Sequence, residues 1–394
     1  MHRHCPSERL TPGVHPPYHN AIMSVKPETI IRTENVRIGR SSAADRQGSD
    51  LLGSTPEELA RMALALDQPA YRGRQLAEWI YRRGELDLTR MTNLPAAFRD
   101  RLQAEHRVGT LKETARRETP DRKTRKVAFA LPEGGLVESV YMSTPTRFTF
   151  CLSSQHGCGF SCRFCATGRM GRGRNLTAGE IVEQALRLRR ELPPGASDYN
   201  VVLMGMGEPL ENYDAVLRAL SLLSDPALGA VPAKRITIST VGLVPQIYRL
   251  ADETPRYRLA ISLHAATDEL RSKLMPVNRT FPLAALMPAV RHHVERTGRR
   301  VTFEYILIEE LNDSVAHASK LVKLVAQLPC KINLIPYNPI GPGKFRRPEP
   351  ERIERFVEYL KPRVPAVTVR YSQGVEIGAA CGQLAGAAEG SARN

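Results

Sequence analysis

The sequence predicts an α/β fold, a partial (βα) barrel that follows a small helical domain. Between about residues 127 and 373, strand-like apolar runs alternate with helical stretches, which is typical of βαβ units around a parallel sheet. No GxGxxG motif follows the first strand, which argues against a dinucleotide-binding Rossmann domain. The chain has 394 residues, of which 42% are hydrophobic, so it can build sizeable cores.

The first segment, residues 1–52, mixes His, Pro, Ser, Arg and Gly without a sustained period. We expect a flexible extension there. His2, His4 and Cys5 could in principle bind a metal, but no neighbouring pattern would fix their geometry. The segment has no signal-peptide run, so we expect a cytoplasmic protein. The chain has no apolar run of about 18 residues, so we expect no membrane association.

Residues 53–110 are expected to form the small helical domain. A Ser-Thr-Pro sequence at 54–56 supplies a cap and a first-turn proline for the first helix. A second helix is expected over residues 73–83, and a third after the Leu-Pro pair at 94–95. This domain is expected to end near residue 110.

Residues 111–147 are predicted to be a basic linker and a β extension. The formal net charge of the chain is +15, and one run of positive residues lies in this region: Lys112, Arg116, Arg117, Arg122, Lys123, Arg125 and Lys126. Such a run is usually a solvated face. On a chain of this charge it also fits contact with a polyanion such as nucleic acid. Charge alone leaves nucleic acid, an anionic membrane and simple solubility open.

Residues 148–375 are predicted to be the barrel, and residues 376–394 a C-terminal loop and tail. Strands of the extension and the barrel are expected at 136–142, 147–153, 200–204, 235–239, 257–262, 301–307, 331–336 and 367–371. Helices are expected at 178–191, 212–223, 267–275, 282–297, 313–328 and 349–361. In such barrels the chemistry lies at the C-terminal ends of the strands.

Three cysteines follow the first barrel strand with the spacing CxxxCxxC: Cys158, Cys162 and Cys165. A structural zinc site needs four ligands, which Cys151 or His156 could complete. A [4Fe–4S] cluster usually takes four cysteines as well. With three, one iron stays open to a substrate or cofactor, as in enzymes that use S-adenosylmethionine (SAM) for radical chemistry. We favour the cluster and keep zinc as the alternative.

Small and polar residues also end the following strands. MetGlyMetGlyGluPro at 204–209 places Glu208 where it could accept an ammonium group. The next strands end in SerThrValGly at 239–242, SerLeuHis at 262–264 and ProTyrAsnPro at 336–339. Each motif alone could be a turn or a cap. As a series on successive strands, they predict the wall of a ligand site.

These motifs resemble the RlmN/Cfr family of radical SAM RNA methyltransferases over about residues 54–386. The resemblance is carried by CLSSQHGCGFSCRFC, VVLMGMGEPL, LAISLHA, INLIPYNP and AACGQLA, and by RGRQLAEWIY and MTNLP in the helical domain. The loop at 168–176 departs from the family pattern because it carries more arginine. The resemblance implies a (βα)6-type radical SAM barrel with a helical accessory domain that binds RNA.

The resemblance also implies cofactors and their ligands. Cys158, Cys162 and Cys165 would hold a [4Fe–4S] cluster, and two SAM molecules would be used per turnover. The SAM contacts of the family correspond to Gly207, Glu208, Ser239, Ser262, Leu263, His264 and Asn338. A flavodoxin-type protein would supply electrons, and a monomer is expected.

Three further residues receive roles from the resemblance. Cys381 would carry the methyl group as S-methylcysteine, and Cys151 would resolve a covalent protein–RNA adduct by forming a transient disulfide with Cys381. Glu138 would accept the proton from the attacked carbon. From its own context each cysteine could equally be a small buried apolar residue. Cys330 has no role in the family and is expected in the core.

The resemblance implies 23S rRNA and tRNA as substrates. RlmN-type enzymes methylate C2 of adenosine 2503 in 23S rRNA and of adenosine 37 in tRNA, whereas Cfr-type enzymes methylate C8 of the same ribosomal nucleotide. The helical domain favours C2 here, and C8 is the alternative. An alternative from a different class is an RNA-binding protein with a zinc site and no catalysis.

Overall fold

A computed structural model of the chain describes residues 48–229, 231–253 and 256–385. His2, His4 and Cys5 lie outside the described residues, as do residues 386–394. Next to the boundary predicted at residue 52, Leu51 and Leu52 are only 4% exposed and belong to the apolar core. They follow strand β1 (Ser49–Asp50), which pairs in parallel with β2 (His106–Arg107). The sequence did not predict Leu51 and Leu52 as core residues, because their neighbours in sequence are polar.

The helical domain contains three α-helices: α1 (Pro56–Ala65), α2 (Ala70–Ala77) and α3 (Ala96–Glu105). Thr55 and Glu58 form a capping box at the start of α1. A π-helical turn, Glu78–Arg83, extends α2 and completes the helix expected over residues 73–83. The buried faces of these elements meet in an apolar core that includes Leu59, Leu76, Ile80, Met91 and Leu102.

The antiparallel extension consists of β3 (Lys112–Glu118), β4 (Thr124–Ala130) and β5 (Leu136–Thr144). The basic run at 112–126 is therefore mainly a β-hairpin rather than a linker, since β3 and β4 pair directly. The sequence did not predict β3 as a strand, because β3 is an exposed edge strand of alternating charges with almost no buried residues. The next strand, β6 (Arg147–Cys151), pairs antiparallel with β5 and belongs to the barrel.

The barrel strands are β6, β9 (Tyr199–Leu203), β10 (Ile236–Thr240), β11 (Arg258–Ser262), β12 (Val301–Leu307), β13 (Cys330–Pro336) and β14 (Val367–Val369). A short antiparallel pair, β7 (Gln155–Gly157) and β8 (Arg172–Asn175), flanks the cysteine loop. The barrel helices are α4 (Ala166–Arg169), α5 (Ala178–Arg189), α6 (Tyr213–Ser224), α7 (Val244–Asp252), α8 (Asp268–Leu274), α9 (Leu283–Thr297), α10 (Val315–Val325) and α11 (Pro350–Leu360).

In the described part of the chain, the main sheet has ten strands in the order β14-β13-β12-β11-β10-β9-β6-β5-β4-β3. Every pair from β6 to β14 is parallel, and the pairs from β3 to β6 are antiparallel. The predicted partial (βα) barrel is thus confirmed. Because parallel strands all point the same way, their C-terminal ends meet along one rim. No helix of the described residues is long and apolar enough to cross a bilayer.

The six helices expected in the barrel are all present, with ends shifted by a few residues. Helix α7 was not expected, although its apolar face is strong, because Pro245 stands in its first turn. Proline is compatible with that position, since its missing N–H would have no partner within the helix.

Candidate active site

An open cavity of about 980 Å³, including space shared with solvent, lies at the C-terminal ends of the barrel strands. Its walls include predicted site residues from five separate stretches: Cys158, Cys162, Cys165, Gly207, Glu208, Ser239, Ser262, His264 and Cys381. The tertiary fold thus brings together motifs that are more than 200 residues apart in sequence.

The three cysteines of CxxxCxxC share one loop between β7 and α4. The Cys158 N–H donates to the carbonyl of Gly171 at 2.8 Å, and the Cys165 N–H donates to the carbonyl of Cys162 at 3.1 Å. Burial raises the pKa of Cys158 to about 12, and raises the pKa of both Cys162 and Cys165. Thiols so poorly solvated gain stability as anions when a cation lies between them.

The candidate fourth ligands of a zinc site point elsewhere. His156 Nδ1 lies 2.8 Å from the carbonyl oxygen of Leu136. Cys151 interacts with the Cys381 side of the site, not with the cysteine loop. Both candidate fourth ligands are thus engaged outside the cysteine loop, which disfavours a four-ligand zinc site.

Glu208 is a buried carboxylate at the end of β9. Its Oε1 accepts from the Leu210 N–H at 3.0 Å, and its Oε2 accepts from the Val241 N–H at 2.8 Å. Burial raises the pKa of Glu208 to about 7. Gly207 has a φ of +97°, and a Cβ there would lie 2.5 Å from Gln155, so a side chain is excluded.

His264 is a neutral imidazole whose tautomer is fixed by a hydrogen bond from the backbone. Its Nδ1 accepts from the Ile306 N–H at 3.0 Å, so the ring proton resides on Nε2. Burial lowers the pKa of His264 to about 3, which keeps the ring uncharged. Phe164 packs edge-on against this ring at 4.5 Å between centroids. Phe164, which lies between Cys162 and Cys165 in the sequence, thus helps to orient His264.

Leu263 and Asn338 are placed differently from the other predicted SAM contacts. Neither belongs to the cavity wall among the described residues. The Leu263 N–H donates to the Glu304 carbonyl at 3.0 Å. Asn338 Nδ2 donates to the Cys381 carbonyl at 3.2 Å, and its Oδ1 accepts from Arg347 at 2.9 Å. In this structure Asn338 supports the loop that carries Cys381.

Cys381 lies in the C-terminal segment, residues 376–385, which crosses the cysteine loop. The Ala166 N–H donates to the Gly382 carbonyl at 2.7 Å, and Thr167 Oγ1 donates to the Leu384 carbonyl at 2.6 Å. Cys381 therefore lines the cavity beside the predicted cluster ligands. None of the described cysteines, Cys151 and Cys381 included, is in a disulfide.

Cys151 is buried at the end of β6, and burial raises its pKa to about 12. Cys381 raises that pKa further, whereas Arg370 and the Met204 N–H lower it. Arg370 Nη1 lies 3.7 Å from Met204 Sδ, and this guanidinium also interacts electrostatically with Cys381. The structure thus brings together the two thiols that the family resemblance pairs, and Arg370 interacts electrostatically with both.

Glu138 lies under the C-terminal segment rather than in the cavity wall. Its Oε1 pairs with Lys126 Nζ at 3.0 Å, and its Oε2 accepts from the Ala385 N–H at 2.9 Å. Lys126 Nζ also donates to the Gly378 carbonyl at 3.2 Å. The carboxylate is almost fully buried, so these contacts tie the extension to the segment that carries Cys381.

The sequence reasoning missed two buried charged residues, Glu304 and Arg271. Arg271 is fully buried and donates to the carbonyls of Val241, Ser262 and Leu263 at 2.7–3.2 Å. Glu304 stands in the middle of β12 and lines the cavity. A single acid among apolar residues of a predicted strand was the available signal for Glu304. Arg271 offered none, since it follows a helix start rich in charges.

The basic hairpin is largely neutralised by acids of the protein. At least five of its seven cations form ion pairs: Arg116, Arg122, Lys123, Arg125 and Lys126. In the arginine-rich loop at 168–176, Arg172 pairs with Glu211 and Arg174 with Glu180. These pairings leave less charge for a polyanion than the sequence run suggests.

A parallel partial barrel with a three-cysteine loop at its rim defines the chain as a radical SAM enzyme. The family model described as the radical SAM superfamily matches residues 152–322. A second model, the ribosomal RNA large subunit methyltransferase N-terminal domain, matches residues 49–108. The cofactors of this class are a [4Fe–4S] cluster and SAM.

Relatives narrow the class further. The chain is 47% identical over 335 residues to a probable dual-specificity RNA methyltransferase RlmN of Symbiobacterium thermophilum, which covers 85% of this chain and 90% of that protein. It is 45% identical over 343 residues to the dual-specificity RNA methyltransferase RlmN of Anaeromyxobacter sp., with 85% and 90% covered. The crystal structure of a radical SAM methyltransferase from Sphaerobacter thermophilus matches with a TM-score of 0.84 and 46% identity, over 86% of this chain and 100% of that one. The chain therefore belongs to the RlmN family of radical SAM methyltransferases.

Proposed function

We propose that this enzyme methylates C2 of adenosine 2503 in 23S rRNA and of adenosine 37 in tRNA, and that it uses two SAM molecules per turnover. The observation that carries the proposal is the meeting of Cys381 and Cys151 beside the cavity, with Arg370 interacting electrostatically with both. The ring carbon C2 of adenine is electron-poor, so it does not attack the sulfonium of SAM directly. A thiol that carries the carbon is the chemical solution.

The cysteine loop supplies the ligands of the cluster in this proposal. Three thiols on one loop, all in the wall of one cavity, fit a [4Fe–4S] cluster whose fourth iron is left for the amino and carboxylate groups of SAM. When bound, the cluster supplies the electron that splits SAM into methionine and a 5′-deoxyadenosyl radical. Phe164 covers this end of the cavity and limits access of water.

The walls of the cavity would hold SAM through two kinds of contact. Glu208 would accept hydrogen bonds from the ammonium group, since it lines the cavity and interacts electrostatically with Cys158 and Cys162. His264 Nε2–H would donate to the cofactor. Gly207, Ser239 and Ser262 would contribute backbone and hydroxyl groups. Leu263 and Asn338 lie outside the cavity wall and would contribute to SAM binding by holding the neighbouring backbone in place.

Cys381 would carry the methyl group. Its thiolate would first take a methyl group from one SAM molecule, which forms an S–CH3 bond, releases S-adenosylhomocysteine and leaves the thiol proton in solvent. The 5′-deoxyadenosyl radical would then take one hydrogen atom from that methyl group and become 5′-deoxyadenosine, and the carbon radical left on the sulfur would add to C2 of the adenine. RNA and protein are now joined through the sulfur of Cys381.

Cys151 would release the product. After Glu138 accepts the proton from C2, the thiol of Cys151 attacks the sulfur of Cys381. An S–S bond forms, the S–CH2 bond breaks and the thiol proton passes to the new methyl group. The step also returns the one electron that SAM cleavage consumed. An external thiol would reduce the disulfide before the next turnover.

Glu138 would reach the substrate only after the C-terminal segment shifts. Its Oε2 now accepts from the Ala385 N–H, so this hydrogen bond would have to break before the oxygen could take a proton from an RNA base. The target base must leave its stack to reach the cavity, which favours RNA loops as substrates. We further propose a cytoplasmic monomer that receives electrons from a flavodoxin-type protein.

Mass spectrometry of RNA digests tests this function. Purified holoenzyme is incubated with SAM, a reductant and either 23S rRNA or tRNA that lacks the modification. We expect 2-methyladenosine in both RNAs. Formation of 8-methyladenosine alone would refute C2 selectivity and support the alternative Cfr-type reaction. Anaerobic purification provides an independent check, because a colourless protein with one zinc per chain would refute the cluster.

A further inference from the structure

Glu304 is a buried acid in the cavity wall, and none of the roles above uses it. It is 4% exposed and stands in the middle of β12. Its Oε1 accepts from Asn333 Nδ2 at 3.0 Å, whereas its Oε2 has no hydrogen-bond partner. A buried oxygen without a partner costs about 1–3 kcal/mol, and more when it is charged. The fold tolerates this cost at a position that faces the cavity.

The side chain of Glu304 is held in place rather than free to turn. Asn333, which binds its Oε1, in turn accepts from Thr368 Oγ1 at 2.6 Å. Thr368 and Asn333 are neighbours across β14 and β13, and Asn333 and Glu304 are neighbours across β13 and β12. A row of three polar side chains across three strands therefore fixes the orientation of Glu304, and with it which carboxylate oxygen lacks a hydrogen-bond partner.

Arg370 does not satisfy the open oxygen. It interacts electrostatically with Glu304, yet among the described residues the two form neither a hydrogen bond nor a salt bridge within 4.0 Å. Within residues 48–229, 231–253 and 256–385, the Arg370 guanidinium makes one hydrogen bond, to Met204 Sδ. Oε2 of Glu304 is thus buried without a donor from the described protein.

The position of Glu304 selects the part of SAM that can supply this donor. The methionyl end must lie at the cysteine loop, next to Glu208 at the end of β9. Glu304 lies three strands away on β12, where its register neighbour on β11 is Ser262. Further along the strands, Ile306 and Ile335 line the cavity and offer an apolar surface to a flat ring. The polar group between these two ends of SAM is the ribose with its two hydroxyls.

We propose that Glu304 is a further SAM-binding residue, whose free Oε2 accepts a hydrogen bond from a ribose hydroxyl of the cofactor. The carboxylate thereby distinguishes ribosyl from deoxyribosyl ligands. This inference rests on the proposed SAM site, and it does not depend on which RNA, or which carbon of adenine, the enzyme methylates.

Ligand affinity tests the inference without turnover. The probes are 5′-deoxyadenosine, 2′,5′-dideoxyadenosine and 3′,5′-dideoxyadenosine, and their dissociation constants are measured by calorimetry on the cluster-loaded protein. In the unaltered protein, loss of the contacted hydroxyl should weaken binding about 10- to 100-fold, the range of a hydrogen bond to a charged group. In Glu304→Met, the same pair of ligands should differ less than about 3-fold, because the acceptor is gone.

Two controls keep the result interpretable. Glu304→Gln retains the size of the side chain and serves if the methionine variant does not fold; the hydroxyl effect should shrink but persist. Glu183→Gln alters a buried carboxylate on α5 outside the cavity and should keep the full hydroxyl effect.

Equal hydroxyl effects in the unaltered protein and in Glu304→Met would overturn the assignment, and so would the absence of any effect in the unaltered protein. Purine riboside analogues that lack the 6-amino group extend the test. If they alone lose affinity through Glu304, the residue contacts the base and the ribose assignment is wrong. RNA methylation can fail independently of these outcomes, because no RNA is present in the assay.

Discussion

Charged side chains differ in their partners between the barrel cavity and the antiparallel extension. In the extension, ions neutralise each other at the surface, as Arg125 with Glu191 at 2.9 Å and Lys123 with Asp121 at 3.1 Å. In the cavity, Glu208 and Glu304 are buried without a cation at salt-bridge distance among the described residues. Burial accordingly raises the pKa of both carboxyl groups.

Most charged groups of the extension already have partners within the protein, whereas the buried groups of the cavity need a ligand to supply theirs. Ion pairs at a surface contribute little free energy and need no further partner. Buried acids, thiols and a neutral imidazole cost free energy until a ligand compensates them. The extension contacts the segment that carries Cys381 where Lys126 and Glu138 hold it. That contact connects a structural region to the reactive thiols.

Replacement of Cys381 should have the largest effect, because in the proposed reaction it forms a bond to the transferred carbon. We expect Cys381→Ala to abolish RNA methylation while the brown iron–sulfur absorbance is retained. Cys330→Ala is the control, since Cys330 is also a free thiol but is buried in β13 outside the cavity wall. Scintillation counting of methyl groups in RNA measures the effect, and residual turnover by Cys381→Ala would exclude the carrier role.

Replacement of Cys151 should stop the reaction at a later point. Without the resolving thiol, the bond between Cys381 and the RNA persists. We expect Cys151→Ala to accumulate a protein–RNA adduct that survives denaturing electrophoresis and disappears after nuclease treatment. The double variant Cys151→Ala/Cys381→Ala should give no adduct. An adduct in the double variant would show that another residue bonds to the RNA.

Stability should respond to the buried ion pair between Lys126 and Glu138, which joins the extension to the segment that carries Cys381. Lys126→Met leaves the carboxylate of Glu138 buried without its cation, which should lower the free energy of unfolding by about 3 kcal/mol. Lys123→Met removes an exposed cation from the same hairpin and should cost less than about 1 kcal/mol. Urea unfolding measures both. Equal losses would mean that the junction is no different from the rest of the extension.

The smallest expected effect concerns acid pH. Burial lowers the pKa of His264 to about 3 and that of His293 to about 4, from 6.5. Between these values and 6.5 the unfolded chain binds more protons than the folded one, so stability falls as the pH falls below 6.5. From about pH 7 to about pH 5, each histidine should cost about 2 kcal/mol. His293→Gln should reduce this loss in urea titrations, whereas an unchanged loss would mean that His293 is protonated in the folded state.

Much of the fold was predictable because its signals are local. Strand and helix alternation, the CxxxCxxC spacing and the polar strand ends are each contained within short windows of sequence. The exposed strand β3 was not predictable as a strand, since it buries almost nothing and its charges resemble a linker. The strand β1 and the leucines that follow it were missed because their partner, β2, lies more than 50 residues away.

The sequence by itself determined the class of chemistry, because thiols at fixed spacing on one loop and glycines at strand ends specify a site from neighbouring residues. Only the tertiary structure decided which side chains face the cavity and which support it. It turned Asn338 toward Cys381, paired most of the basic hairpin with acids, and left one oxygen of Glu304 open. Burial and hydrogen-bond partnership depend on residues distant in sequence, so no local pattern contains them.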